Sequence, residues 1–475
     1  MIKQYINGEW REGSLGVMPL LNPATEEVID EISIGGEAET LLALEVAQQN
    51  FSVWKNTNAW ARAEILKKVA QKIKERAYEL GEITTRESGK LKLEASGEWV
   101  AAAQLFEWFA EEAKRSYGQT IPAVRNNKRI SVIYQPMGVV GIITAWNFPS
   151  WNLARVWAAA LAAGNTIVCK PSEETPLTAV ALVEILEECG IPKGVVNMVV
   201  GDAPAIGSAM LNSPICKKMH FVGSTRVGKL LLDGASKTIK KLSLELGGNA
   251  PAIISQHTDS KALASVAAVA KLRNCGQVCV SPQRFIVHES IYEQFIEGLK
   301  NNFQSLKVGN AAEEGTQVAP LISKRQRDGV KNLVERAIAA GARCVIGGKI
   351  PAHLPNGFFF EPTVLADVKP DNPIFRNEVF GPVISVTPYS TKEEAIVLAN
   401  DTEYGLAAYI WTNDLYESIY FSENVEAGIV GINEWAAHGT EAPFGGWKQS
   451  GVGHECGQEG LYEYLELKVI STGGI

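Results

Sequence analysis

The chain has 475 residues, of which 46% are hydrophobic and 21% charged, and a net charge of −8. That length predicts two or three domains with a large buried core, and that balance excludes long disordered regions. An acidic chain without basic runs is also a poor partner for nucleic acid or anionic membrane.

The chain opens "MIKQYINGEWREGS", without a basic segment followed by an apolar run, and its longest apolar stretches, such as Trp157 to Gly164, are too short to span a bilayer. A cytoplasmic protein is expected. The seven cysteines stand at 169, 189, 216, 275, 279, 344 and 456, with no C-x-x-C pair and no histidine at zinc-site spacing from Cys275 and Cys279. No metal site is expected, and a disulfide is unexpected in a reducing compartment.

"RISVIYQPMG" is strand-like and stands outside the alternating blocks. "VVGIITAW" reads as a buried strand, and "SWNLARVWAAALAAG" as a helix started by Pro149 and stopped at Gly164. Asn147 falls between them, where its amide either points into the crevice at the strand ends or caps the helix. Arg155 shares a helical face with Trp151, Ala158, Ala159 and Ala162. A cation on that apolar face, near a helix N-terminus, either meets a carboxylate ligand or lays its stem along the helix and reaches solvent.

"TIVCKPS" is the next strand, so Lys170 and Glu173 follow its end, either as nucleotide contacts or as a solvated loop. An acid there accepts ribose hydroxyls and repels a 2′-phosphate. The helix "PLTAVALVEILEECG" and the strand "VVNMVVG" come next. "FVGSTRVGK" then places two glycines and two hydroxyls at the opening of a helix, which suits a pyrophosphate, although it is not G-x-G-x-x-G. In "LELGGNAP", Glu245 is the one acid of an apolar run. It is either a proton-transfer group of raised pKa or a carboxylate satisfied by backbone N–H groups.

A second alternating block begins near Gly247, with the strand "APAIIS", a helix from Asp259 to Arg273, the strand "RFIVHE" and the helix "IYEQFIEGLKNNF". Alternation with short connections implies parallel sheets covered on both faces. "GQVC" puts Cys279 after a glycine-containing turn, as a nucleophile or as a small buried hydrophobe. Arg273 falls in the last turn of the preceding helix, where complementing the helix dipole is the plain role. Cys275, one turn before Cys279, is expected to pack. "YLELKVIST" is a final strand outside both blocks.

"LELGGNAP", then "GQVC" about thirty residues on, then "EVFGPV" about a hundred further, closely resemble the NAD(P)-dependent aldehyde dehydrogenase superfamily. The likeness runs from "YINGEW" and "LNPATEEVI" to "PFGGWKQSGVG". It implies an α/β fold with two parallel-sheet domains and a small β oligomerisation arm. The cofactor domain would take 1–117 and 137–246, the catalytic domain 247–448, and the arm 118–136 with 449–475, joining subunits as a homodimer or homotetramer. Cys279 matches the nucleophile, Glu245 the general base and Asn147 the oxyanion-hole amide. Lys170 and Glu173 match adenosine-ribose contacts, and Trp146 and Ser224 match pyrophosphate contacts, with Phe221 and Gly223 beside them. Glu378 matches the nicotinamide-ribose contact and Phe380 the aromatic lining of that pocket. NAD is the implied cofactor, with NADP also admitted.

The chain departs from the family at Ala145, often proline, and at Asn377, often an acid. Members that pass the acyl group to coenzyme A typically lack an acid at the Glu245 position, so hydrolysis is implied here. Arg155 and Arg273 match substrate-binding arginines of succinate-semialdehyde dehydrogenases, and 2-oxoglutarate-semialdehyde dehydrogenases look alike there. A short carboxylated aldehyde is therefore the expected substrate, with Trp151 beside it. Where those enzymes tend to have serine, this chain has His438 and Gly439, which leaves the third contact to His438 or Thr440. The alternatives are a broad-specificity aliphatic or aromatic aldehyde dehydrogenase, and a non-catalytic NAD-binding protein of the same fold.

Overall fold

The computed structural model describes residues 1–474; Ile475, the last residue of the expected arm, lies outside them. Pro149 opens the helix Pro149–Ala163, where its missing N–H costs nothing, and Gly164 ends it in the left-handed region at φ +94°. Pro176–Glu188 opens the same way. Neither helix has a capping side chain of its own. Carboxylates from two long helices, Ala59–Ser88 and Lys92–Glu112, serve instead. Glu87 accepts from the N–H groups of Leu177 (2.7 Å) and Thr178 (2.9 Å). Glu98 accepts from those of Ser150 (2.8 Å) and Trp151 (3.2 Å). Each thereby satisfies donors that every helix start leaves open.

An eight-stranded sheet runs in the order Glu9–Arg11, Gln4–Ile6, Val196–Met198, Thr166–Lys170, Val139–Ile143, Cys216–Val222, Lys241–Glu245, Gly451–Val452. Its five central strands are parallel. The strand order reverses between Val139–Ile143 and Cys216–Val222, which opens the crevice where open α/β sheets bind ligands. A seven-stranded sheet runs Arg343–Ile346, Thr363–Ala366, Val383–Tyr389, Pro282–His288, Ala250–Ile254, Ala407–Trp411, Ile429–Ile432, parallel except for its first strand. Residues 246–249 carry the chain directly from the end of the first sheet to the start of the second. The C-terminal ends of one set of strands therefore meet the N-terminal ends of the other.

Gln119–Ile121, Lys128–Pro136 and Leu465–Gly473 form a separate antiparallel three-stranded sheet. Gly451–Val452, expected in the arm, differs. It pairs with Leu244 and Glu245 and covers the edge of the eight-stranded sheet. Trp54, Trp99 and Trp157 are fully buried among the helices that flank this sheet. Among the described residues no helix is long and apolar enough to cross a membrane.

Candidate active site

A cavity of about 970 Å³ opens where the two sheets meet, and every residue singled out as catalytic, cofactor-binding or substrate-binding, Thr440 excepted, lines it. Their convergence is a product of topology. Asn147, Lys170, Ser224 and Glu245 follow or end strands of the first sheet, while Cys279 and Glu378 precede strands of the second.

Cys279 sits on a strained turn. The preceding helix ends at Leu272, one residue short of expectation, because Asn274 and Cys275 both adopt left-handed backbone (φ +48° and +55°) ahead of Gly276 at +74°. Consecutive non-glycine residues there are costly and persist only where their surroundings hold them. Asn274 is held from two sides. Its amide donates to the carbonyls of Asn147 (2.8 Å) and Gln277 (3.2 Å), and its N–H points at the Glu94 carboxylate (3.3 and 3.2 Å). A Cβ on Gly248 would stand 2.3 Å from the Cys279 carbonyl oxygen, so the glycine pair of "LELGGNAP" lets the Cys279 backbone come close. Cys275 is buried and free, and it packs.

Glu245 ends its strand with Oε1 buried and without a hydrogen-bond partner. It is not the carboxylate satisfied by backbone N–H groups. Burial pushes its pKa up to about 8, against the pull of Arg155. Burial, and then the nearby Glu245, push the Cys279 thiol well above its ordinary value. The pair thus holds a neutral thiol beside a carboxyl poised to take a proton near neutrality.

Arg155 is 1% exposed, and its carboxylate comes from inside the protein: Nη1 lies 2.6 Å from Glu455. Glu245 is the second acid, at 3.9 Å. Arg155 also stacks over Trp151 (4.3 Å) and Phe444 (5.0 Å). Of the two readings of this cation, a reach to solvent is corrected by its burial against Glu455, and its buried Nε has no acceptor. Burial opposes the charge on Glu455, but Arg155 and His220 hold its pKa below the ordinary value. Burial pushes the His220 pKa below its ordinary value, against the pull of Glu455; its Nε2 faces Glu455 and its Nδ1 the Tyr464 hydroxyl at 2.7 Å. Sequence reasoning missed both partners. His220 left a faint signal as a polar residue in the buried strand "CKKMHFV", whereas Glu455 left none.

Asn147 is not a helix cap. The cap position is Phe148, and the Asn147 amide donates instead to the Gln277 carbonyl (3.1 Å), while its oxygen accepts from Asn152 (3.2 Å). One of its two N–H groups is left for the cavity.

Arg273 differs from Arg155. It is exposed, just past its helix end, and stacks over Phe148 at 4.8 Å. Among the described residues no carboxylate lies within 4.0 Å of its guanidinium. His438 stands edge-on to Trp151 and Phe444, both at 5.9 Å. Its Nδ1 is buried without a partner, and burial followed by the two arginines pushes its pKa down to about 4. Of the two residues expected for the third contact, His438 lines the cavity, whereas the Thr440 hydroxyl turns to Glu441 (3.4 Å).

The other half of the cavity has the donor set of a dinucleotide site. Ser224 caps the helix Thr225–Ala235, whose open N–H groups and dipole favour an anion. Lys170 and Glu173 form an ion pair, and against the effect of burial Lys170 holds Glu173 below its ordinary pKa. Trp146 meets Phe380 edge-on at 5.5 Å, and Phe380 is itself left-handed at φ +51°. Glu378 accepts the Gly248 N–H (3.0 Å), and burial raises its pKa to about 7. Behind it lies a residue that carries no motif. Lys271 is fully buried with no hydrogen-bond partner, and burial lowers its pKa to about 7. Asn377 turns away and donates to the Pro373 carbonyl (2.8 Å).

The profile of the "Aldehyde dehydrogenase family" matches residues 10–470. A succinate semialdehyde dehydrogenase of Acinetobacter baylyi is 43% identical over 474 residues, covering 100% of this chain and 98% of the relative. A glutarate-semialdehyde dehydrogenase of Pseudomonas aeruginosa is 42% identical over 472 residues, covering 99% and 97%. The crystal structure of a succinate-semialdehyde dehydrogenase from Burkholderia pseudomallei superposes with a TM-score of 0.97 at 42% identity, covering 100% of this chain and 98% of that one.

Proposed function

The chain belongs to the aldehyde dehydrogenase family, and from that premise we propose that it oxidises a short carboxylated aldehyde to the acid through a thioester on Cys279. The Cys279 thiol first gives its proton to water in the cavity, and the thiolate so formed attacks the aldehyde carbon, whose carbonyl electrons move to oxygen. The free N–H of the Asn147 amide, with the backbone N–H of Cys279, stabilises the resulting alkoxide. NAD held in the other half of the cavity would supply the hydride acceptor that takes the thiohemiacetal on Cys279 to the thioester. Glu245 then takes a proton from water, which attacks the thioester and frees the acid and the thiol. The observation that best supports this reading is the convergence of Cys279, Glu245 and Asn147, from three separate segments, on one cavity.

Glu245 is the group to test. Its carboxylate is the active form, so deacylation is expected to rise with pH through about 8 as the proton leaves. Glu245→Gln should retain one rapid turnover of NADH in stopped flow, lose the steady state by at least ~100-fold, and lose the pH limb with it. An undiminished steady state in that variant would remove Glu245 from the role of base.

Succinic semialdehyde and glutaric semialdehyde fit the cationic end of the cavity. Arg273 is the leading anchor because among the described residues no carboxylate lies within 4.0 Å of it, with the orphan Nε of Arg155 and the neutral His438 beside it. The broad-specificity reading draws support from Glu455, since a paired Arg155 needs no substrate carboxylate. NAD is preferred over NADP because the Glu173 carboxylate would repel a 2′-phosphate. Lys170 and Glu173 would hold the adenosine ribose, the start of Thr225–Ala235 the pyrophosphate, and Glu378 the other ribose. The exposed edge strand Leu465–Gly473, with Leu467 and Val469 outward, is the surface through which a homodimer or homotetramer would form. All seven cysteines are free, which fits a cytoplasmic protein.

A further inference from the structure

The segment "ESGKLKLEASGE", Glu87 to Glu98, looks like a solvated turn between two helices, yet most of its charges are buried. Lys90 is 1% exposed and lies 3.9 Å above the Phe148 ring. Its ammonium forms an ion pair with Glu98 and donates to the main-chain carbonyl of Asn147 at 2.8 Å. Glu98 in turn accepts the Ser150 hydroxyl (2.7 Å) and two N–H groups at the start of the helix that follows Asn147. One helical turn earlier, Glu94 receives the N–H of Asn274, whose amide reaches the same Asn147 carbonyl at 2.8 Å.

We propose that Lys90, Glu94 and Glu98 are positioning residues for the oxyanion hole. They brace the Asn147 turn and the strained Cys279 turn against each other. The inference rests on the reading of Asn147 as the oxyanion amide. Removing a single donor at such a site leaves the amide's backbone free to shift, and displacements near 1 Å at a reacting centre cost roughly 10²-fold. Burying an ion pair is otherwise a poor way to gain stability, since desolvation consumes most of its attraction. A positional role explains why this one is spent on a carbonyl beside the cavity.

A double-mutant cycle tests it, using full-length protein, succinic semialdehyde and NAD. Asn147→Ala alone tests the reading beneath: it should lower kcat, and unchanged kcat would overturn that reading by itself. Lys90→Met should lower kcat by ~10- to 100-fold with KM for NAD altered less than ~3-fold. In the Asn147→Ala background the same substitution should then cost less than ~3-fold, because its route of action is gone. Multiplying losses, or a kcat for Lys90→Met within ~2-fold of the parent, would overturn the proposal. If Lys90→Met does not fold, Lys90→Arg is run through the same cycle. It keeps the charge beside Glu98 but displaces the donor, and the same non-additivity is expected.

Discussion

Arg155 is a buried cation whose partner, Glu455, comes from near the far end of the chain. Its apolar surroundings were legible as an anomaly, and the anomaly was real, but pairing across such a distance leaves no local trace. The same holds for Lys90 and Glu98, which look like ordinary surface charges until the fold closes over them. Cys279 and Glu245 stood out within short glycine-bearing motifs, and Asn147 at the junction of a strand and a helix. This changes the choice of probe for the substrate. Arg155→Ala would leave the buried Glu455 carboxylate without its cation, held by His220 alone, and should lower Tm along with activity. Arg273→Ala leaves no such orphan. It should raise KM for succinic semialdehyde by roughly 10- to 100-fold, the worth of about 1.5–3 kcal/mol for a hydrogen bond to a charged group, and leave hexanal kinetics unchanged. Equal losses with both aldehydes would assign Arg273 a structural role.

Helix starts and stops were readable at Pro149, Gly164 and Pro176, where proline and glycine act through their own backbone restrictions. The carboxylates that complete those helix starts were not, since Glu87 and Glu98 arrive from other helices. The helix before Cys279 stops at Leu272 for a reason propensity does not carry: the turn beyond needs left-handed Asn274 and Cys275 to present the thiol. Two of the three strands of the small sheet, Lys128–Pro136 and Leu465–Gly473, were legible from β-branched runs, and their pairing puts Leu467 (56% exposed) and Val469 (62%) on an open edge. Replacing both with lysine should leave the fold intact and reduce the solution mass by light scattering, because charge on an edge strand blocks strand-to-strand association. An unchanged oligomer would move the interface elsewhere.

At the scale of the whole molecule, two parallel sheets meet end to end, and the ends of both supply the cavity. The alternation of strand and helix made this α/β architecture legible. That the two blocks face each other across residues 246–249 was not legible, because periodicity carries no information about how blocks dock. Oxidation of an acid-bearing aldehyde with NAD in this cavity is tested most directly by NADH formation with succinic semialdehyde, glutaric semialdehyde, 2-oxoglutarate semialdehyde, hexanal and benzaldehyde, each with NAD and with NADP. An acid aldehyde should lead in kcat/KM by at least ~100-fold, the worth of an anchored carboxylate, and NAD should outperform NADP. Hexanal or benzaldehyde in the lead would contradict the proposed substrate, and no NADH with any of the five would contradict the proposed reaction altogether.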